Sequence, residues 1–126
     1  MNFQITVVAI SLTNVAMAAE PSPKALEFFE KKVRPILVNR CYDCHTGESD
    51  ETDFRLDSRA AIIKGGLRGP SIIPGKPAGS FLMRTLRHQE RLKMPPKEKL
   101  PQSEIAAIAA WIKMGAPWPG SNKNAA

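Results

Sequence analysis

Cys41, Cys44 and His45 stand in the order C-x-x-C-H within Cys41-Tyr42-Asp43-Cys44-His45, the attachment sequence of a c-type haem. Two cysteines three residues apart lie on one side of a helical turn, so both sulfurs can reach the two vinyl groups along one porphyrin edge. The histidine that follows is carried under the ring, where an imidazole nitrogen can bind the iron. Cys41 and Cys44 are therefore expected to become thioethers to a covalent haem c, with His45 as the proximal ligand. Because the chain has two cysteines, this motif allows one haem at most.

Other chemistries draw on the same residue types. A dithiol redox pair wants a βαβ setting, and no such pattern is visible. A closed zinc site needs four ligands at finger-like spacing, yet the one other histidine, His88, lies 43 residues beyond His45. A structural disulfide between Cys41 and Cys44 would close a very small loop. Haem is the expectation, and much of its support comes from the flanking sequence.

An iron that only transfers electrons is normally six-coordinate, so a second ligand is expected opposite His45. Met94 is the leading candidate. It lies in Leu92-Lys93-Met94-Pro95-Pro96, where the prolines hold the chain rigid and off helical geometry, so the sulfur is presented without rearrangement. A thioether favours ferrous iron and raises the potential relative to a second histidine. Met83 and Met114 sit at helical spacings and read as core filler. His88 remains an alternative ligand, as does an open or solvent-ligated site. His88 also reads as a surface histidine favoured by a helix C-terminus. Arg68, Arg84 and Arg87 are candidates to pair with haem propionates.

The elements that must position these residues read as helices. Ser22-Pro23 supplies an N-cap and a proline at the first helical position. Leu26, Phe29, Val33, Ile36 and Leu37 then recur at spacings of three and four, forming one apolar face that leads to Cys41. Pro35 is expected to kink that helix or end its first segment. Thr46 to Asp57 reads as a solvated acidic loop, since a calcium loop would need glycine and glutamate in a register that is missing. A short helix is expected over Ser58 to Lys64, ended by Gly65-Gly66. The turns at Gly66 to Pro70 and Pro74 to Pro77 are expected to carry backbone over the haem edge, with Ile72 and Ile73 as apolar contacts. They lack the residues of a phosphate loop, having Pro70 and Pro77 at required positions.

Ser80 is expected to cap a helix containing Leu82, Met83 and Leu86, with Arg84, Arg87 and His88 near its end. The last helix is expected over Ser103 to Met114, with Ser103 as a late cap, Ile105, Ile108 and Ile112 on one face, and Trp111 against Phe28 or Phe29 of the first helix. Gly115, Pro117 and Pro119 stop it. No segment reads as a strand. The fold class expected is all-α, with about three to five helices around one haem.

Residues 1–18 read as a signal peptide, with an apolar stretch from Phe3 to Leu12 and a small-residue cleavage site at Ala16-Met17-Ala18. Residues 19–126 then form one domain with its core at about 24–119. Export agrees with haem attachment, and the apolar stretch is short for a membrane span of ~20 residues. The chain carries a net charge of +6, unevenly: −3 over Ala19 to Asp57 and +9 from Ser58 onward. A basic surface of this kind can steer the protein toward an acidic redox partner. Nucleic acid is disfavoured by export and by the lack of interleaved aromatics.

With these residues in place, the chain resembles the planctomycete-type cytochrome c domain, within the small monohaem cytochrome c class. The resembling pieces are Phe29-Glu30-Lys31-Lys32-Val33-Arg34-Pro35-Ile36-Leu37, the C-x-x-C-H motif, Gly65-Gly66 with Pro74-Gly75, Lys93-Met94-Pro95-Pro96, and Trp111-Ile112 followed by Gly115-Ala116-Pro117-Trp118-Pro119. The resemblance implies haem c on Cys41 and Cys44 with His45 and Met94 as axial ligands. In that family the domain is often fused to much larger domains, whereas here it is expected to stand alone. The expected function is a periplasmic, monomeric, single-electron carrier rather than an enzyme. Two other readings stay open: a haem-based sensor or binding module, and an electron-entry subunit of a larger oxidoreductase.

Overall fold

A serine followed by proline begins the first helix as its chemistry requires. The Ser22 hydroxyl accepts from the Ala25 amide at 3.2 Å, and Pro23 fills a first-turn position whose N–H would have no intrahelical partner. The computed structural model describes residues 4–9, 21–41, 55–66 and 69–120. The elements are α1 (Pro23–Phe28), α2 (Arg34–Ile36), α3 (Arg59–Lys64), α4 (Phe81–Leu86) and α5 (Gln102–Lys113). Two wide π-type turns, Phe29–Val33 and Leu37–Cys41, join α1 to α2 and α2 to Cys41.

Residues 23–41 are thus one helical run of changing pitch, where a kink or an end was expected at Pro35. The reason is local. Pro35 has no N–H to give to the preceding turn. The turn before it widens, and the Arg34 amide reaches back to the Phe29 carbonyl. The run passes Pro35 without stopping, and its second wide turn closes on Cys41. Wide turns of this kind are rare, and they often occur at functional sites.

The expected apolar face is buried. Phe29, Val33, Ile36 and Leu37 pack with Ile62 of α3, Met83 and Leu86 of α4, and Ile105, Ile108, Trp111 and Ile112 of α5; Leu26 is half-buried. Phe29 meets Trp111 at 5.8 Å and Trp118 at 4.5 Å between ring centroids. The Arg34 guanidinium lies over Phe29 at 4.8 Å, a cation–π contact on the outer side of the cluster. Trp111 donates its indole N–H to the Pro117 carbonyl at 2.8 Å, which turns the chain after α5 back onto the core and explains how Trp118 joins it.

Several expectations needed correction. Ser80 is the N-cap residue of α4, as expected, but its hydroxyl makes no cap bond. Its buried hydroxyl accepts from the Ile73 amide and donates to the Lys76 carbonyl, so it knits the preceding turn together. Ser103 is not the cap of α5 either: the helix starts at Gln102 behind Pro101, with no side-chain cap. Met114 is 52% exposed rather than core filler, whereas Met83 is fully buried. Ile72 is buried in the core but Ile73 is exposed, and the Gly75 amide bonds the Ile112 carbonyl at 2.7 Å. The Pro74-Gly75 turn is therefore docked on the end of α5.

The helix over residues 59–64 is as expected, with the Ser58 hydroxyl accepting from the Ala61 amide and Gly65 closing it at φ 72°. A Cβ at Gly65 would overlap the Gly69 carbonyl, so the close return of the chain requires glycine there. Among the described residues the extended pairing is a single bridge between Gly66 and Gly69, and the architecture is helical without strands. No helix among them is long and apolar enough to cross a membrane. Ile5, Val7 and Val8, in the described part of the N-terminal apolar stretch, are exposed and lie outside the core.

Candidate functional site

Cys41 closes the helical run, half-buried, and packs against the same buried cluster that Met94 packs against. Tyr42, Asp43, Cys44 and His45 lie outside the described residues, as do Arg68 and the acidic segment 46–54. The two expected site residues that are described therefore both pack on the core. Between the segments that carry them is an open cleft of about 490 Å³, within the roughly 300–1,000 Å³ of ligand and cofactor sites. Asn39 and Arg40, immediately before Cys41, form one wall. Pro95 and the chain from Lys97 to Pro101, immediately after Met94, form the other.

The end of α4 holds Met94. A helix leaves its last four carbonyls without intrahelical donors, and these must find partners elsewhere. The Arg84 carbonyl accepts from the Gln89 amide at 2.9 Å and the Thr85 carbonyl from the His88 amide at 3.1 Å. These two bonds form the Schellman cap, with His88 in the left-handed position after the helix. The Thr85 carbonyl also accepts from the Met94 amide at 3.1 Å. The loop of residues 87–94 is thereby folded back on the helix that precedes it, and Met94 is fixed through its own backbone. Pro95 and Pro96 then prevent any helical continuation.

His88 is half-buried, and its ring Nε2 donates to the Pro95 carbonyl at 3.1 Å. The ring is thus engaged with the Met94-Pro95 segment itself, and this geometry does not favour the alternative in which His88 ligates iron in place of Met94. Of the arginines considered for propionates, Arg84 is paired with Glu90 at 2.8 Å. Arg40, which was not considered, lines the cleft beside Cys41. Its guanidinium faces Glu104 in the first turn of α5, with Nη2 3.3 Å from Oε2. The contact anchors one wall of the cleft to the start of the last helix, where a carboxylate is favoured by the helix dipole.

A covalent porphyrin with soft axial ligation suits the donor set, since a thiol and a thioether both pack on the apolar core, next in sequence to residues that line a cleft of cofactor size. Cys41 would hold the ring edge, and Met94 would present sulfur to the iron. Sequence reasoning named both as candidates. It missed the roles of Thr85 and His88, because a main-chain acceptor and a ring-to-carbonyl bond leave no pattern in residue spacing. The basic, cleft-lining Arg40 had a visible signal in its place beside Cys41.

Residues 41–98 match the family model described as Planctomycete cytochrome C. The match begins on the first motif cysteine and ends just after the Met94 loop. It bears out the resemblance read from the sequence over that segment. No curated protein and no solved structure gave a significant match.

Proposed function

Taking residues 41–98 as a cytochrome c segment, we propose that this protein is a monohaem single-electron carrier working outside the cytoplasm, with His45 and Met94 as axial ligands. The observation that carries the proposal is that Cys41 and Met94 both pack on the core, while the residues immediately before Cys41 and immediately after Met94 line one cleft. Cys41 and Cys44 anchor the ring covalently, so the cofactor stays with the protein through every redox cycle. When bound, the haem supplies a one-electron iron couple. His45 and Met94 would hold the iron between them, which would exclude water and small ligands from it and leave one-electron transfer as the chemistry it supplies. A two-electron conversion of a substrate would need a second centre.

Lys97, Lys99 and Arg40 line the cleft, and they make its rim basic despite Glu98. An acidic redox partner fits that rim, and charge of this kind acts mainly on the rate of encounter and on orientation. Residues 1–18 serve as the export signal, which is consistent with Ile5, Val7 and Val8 being exposed and outside the core.

The test is the Met94→Ala variant of the haem-loaded protein. The wild type is expected to be low-spin, with a methionine–iron charge-transfer band. The variant should lose that band, fall in reduction potential and bind carbon monoxide once reduced. An unchanged spectrum and potential would remove Met94 from the iron. Ready carbon monoxide binding by the wild type would favour the sensor reading over the carrier.

A further inference from the structure

His88 occupies a position that glycine normally takes. As the residue after the cap of α4, it adopts φ 55°, in the left-handed region where a side chain costs energy and glycine does not. Histidine is one of the residues found there more often than most, yet a non-glycine in that region still needs a reason. The end of α5 shows the ordinary solution: Gly115 at φ 99° in the same role. What the imidazole does instead is reach forward seven residues and donate Nε2–H to the Pro95 carbonyl at 3.1 Å.

We propose that His88 is a positioning residue for the distal ligand, clamping the Met94-Pro95 segment so that the Met94 sulfur is held at the iron. The inference rests on the reading of Met94 as that ligand. Two bonds bracket Met94: its own amide on the Thr85 carbonyl, and the Pro95 carbonyl on the His88 ring. Both lead back to the last turn of α4, itself anchored by buried Leu82, Met83 and Leu86. The backbone bond holds Met94 itself, and the ring bond holds the residue after it, so the segment that carries the sulfur is fixed at two points. The carbonyl can only accept, so the nitrogen facing it must carry hydrogen, and this holds for the neutral Nε2–H tautomer and for imidazolium alike.

Three variants of the haem-loaded protein separate this role from a merely structural one. His88→Leu removes the donor. It should weaken or abolish the methionine–iron band and raise carbon monoxide affinity of the reduced protein by about 10-fold or more, the scale on which supporting partners of metal ligands act. His88→Gly also removes the donor but relieves the backbone, so it should lose the band while its thermal midpoint stays equal or rises. His88→Gln restores an N–H donor at similar reach and should recover the band. Variants Leu and Gly that keep the full band and the wild-type carbon monoxide affinity overturn the clamp while leaving Met94 as ligand. A wild-type protein that lacks the band overturns the ligand reading, and the clamp with it.

Discussion

The ends of α4 and α5 are built to one plan and differ in one residue. Each helix closes with a Schellman pair of bonds, and each has a left-handed residue after its cap. In each, the carbonyl two residues from the helix end takes a second amide from elsewhere in the chain. The Ile112 carbonyl takes the Gly75 amide, and the Thr85 carbonyl takes the Met94 amide. At α5 the left-handed residue is Gly115, and side chains supply the further order: Trp111 bonds the Pro117 carbonyl, and Arg59 donates to the Gly115 and Ala116 carbonyls at 3.1 and 3.0 Å. At α4 the left-handed residue is His88, and its own ring holds the loop. One end is fastened for stability by its surroundings. The other accepts a strained residue in order to fasten a loop beside a cleft.

This contrast predicts effects that separate stability from ligation. Trp111→Ala should have the largest effect, about 3–5 kcal/mol less stable in denaturant unfolding, because it removes a fully buried indole and its bond. The fraction that folds should keep the spectrum of the parent. Loss of the methionine–iron band in that fraction would mean that the two ends are coupled. Arg59→Ala should come next, at about 1–2 kcal/mol, since two half-buried carbonyls lose a charged donor. Gly115→Ala should cost about 1 kcal/mol through the left-handed backbone alone, as no atom lies where its Cβ would go. It is the mirror of His88→Gly: a side chain introduced at α5 should lower the thermal midpoint and spare the spectrum, whereas one removed at α4 should do the reverse. If both exchanges moved the same observable, the two helix ends would be doing the same job.

Much of the scaffold was legible in the residues because it is written in periodicity. The apolar spacing from Leu26 to Leu37, the cap at Ser22 and the stop at Gly115 each depend on near neighbours, and each appears in the structure where expected. The C-x-x-C-H motif and the Met94-Pro95-Pro96 segment were legible because their chemistry restricts residue type. What escaped was set by tertiary contact. Ser80 has the right type and place for a helix cap, but a buried turn claims its hydroxyl first. Met114 has the spacing of a core residue and faces outward, because α5 has already ended. Ile73 and Ile72 look alike in sequence, but only one can turn inward from an extended pair. The clamp at His88 depends on a bond between a ring and a carbonyl seven residues away, and no propensity encodes that.

The two wide turns in residues 23–41 set an angle. Along a helix each residue turns its side chain by about 100° from the last, so every departure from regular pitch rotates all that follows. One such turn precedes Pro35 and the other closes on Cys41. Together they decide the bearing at which the first cysteine leaves the helix, relative to the face that carries Phe29 and Val33. The stretch before the motif therefore works as an indexing device that sets the direction in which Cys41 leaves the helix.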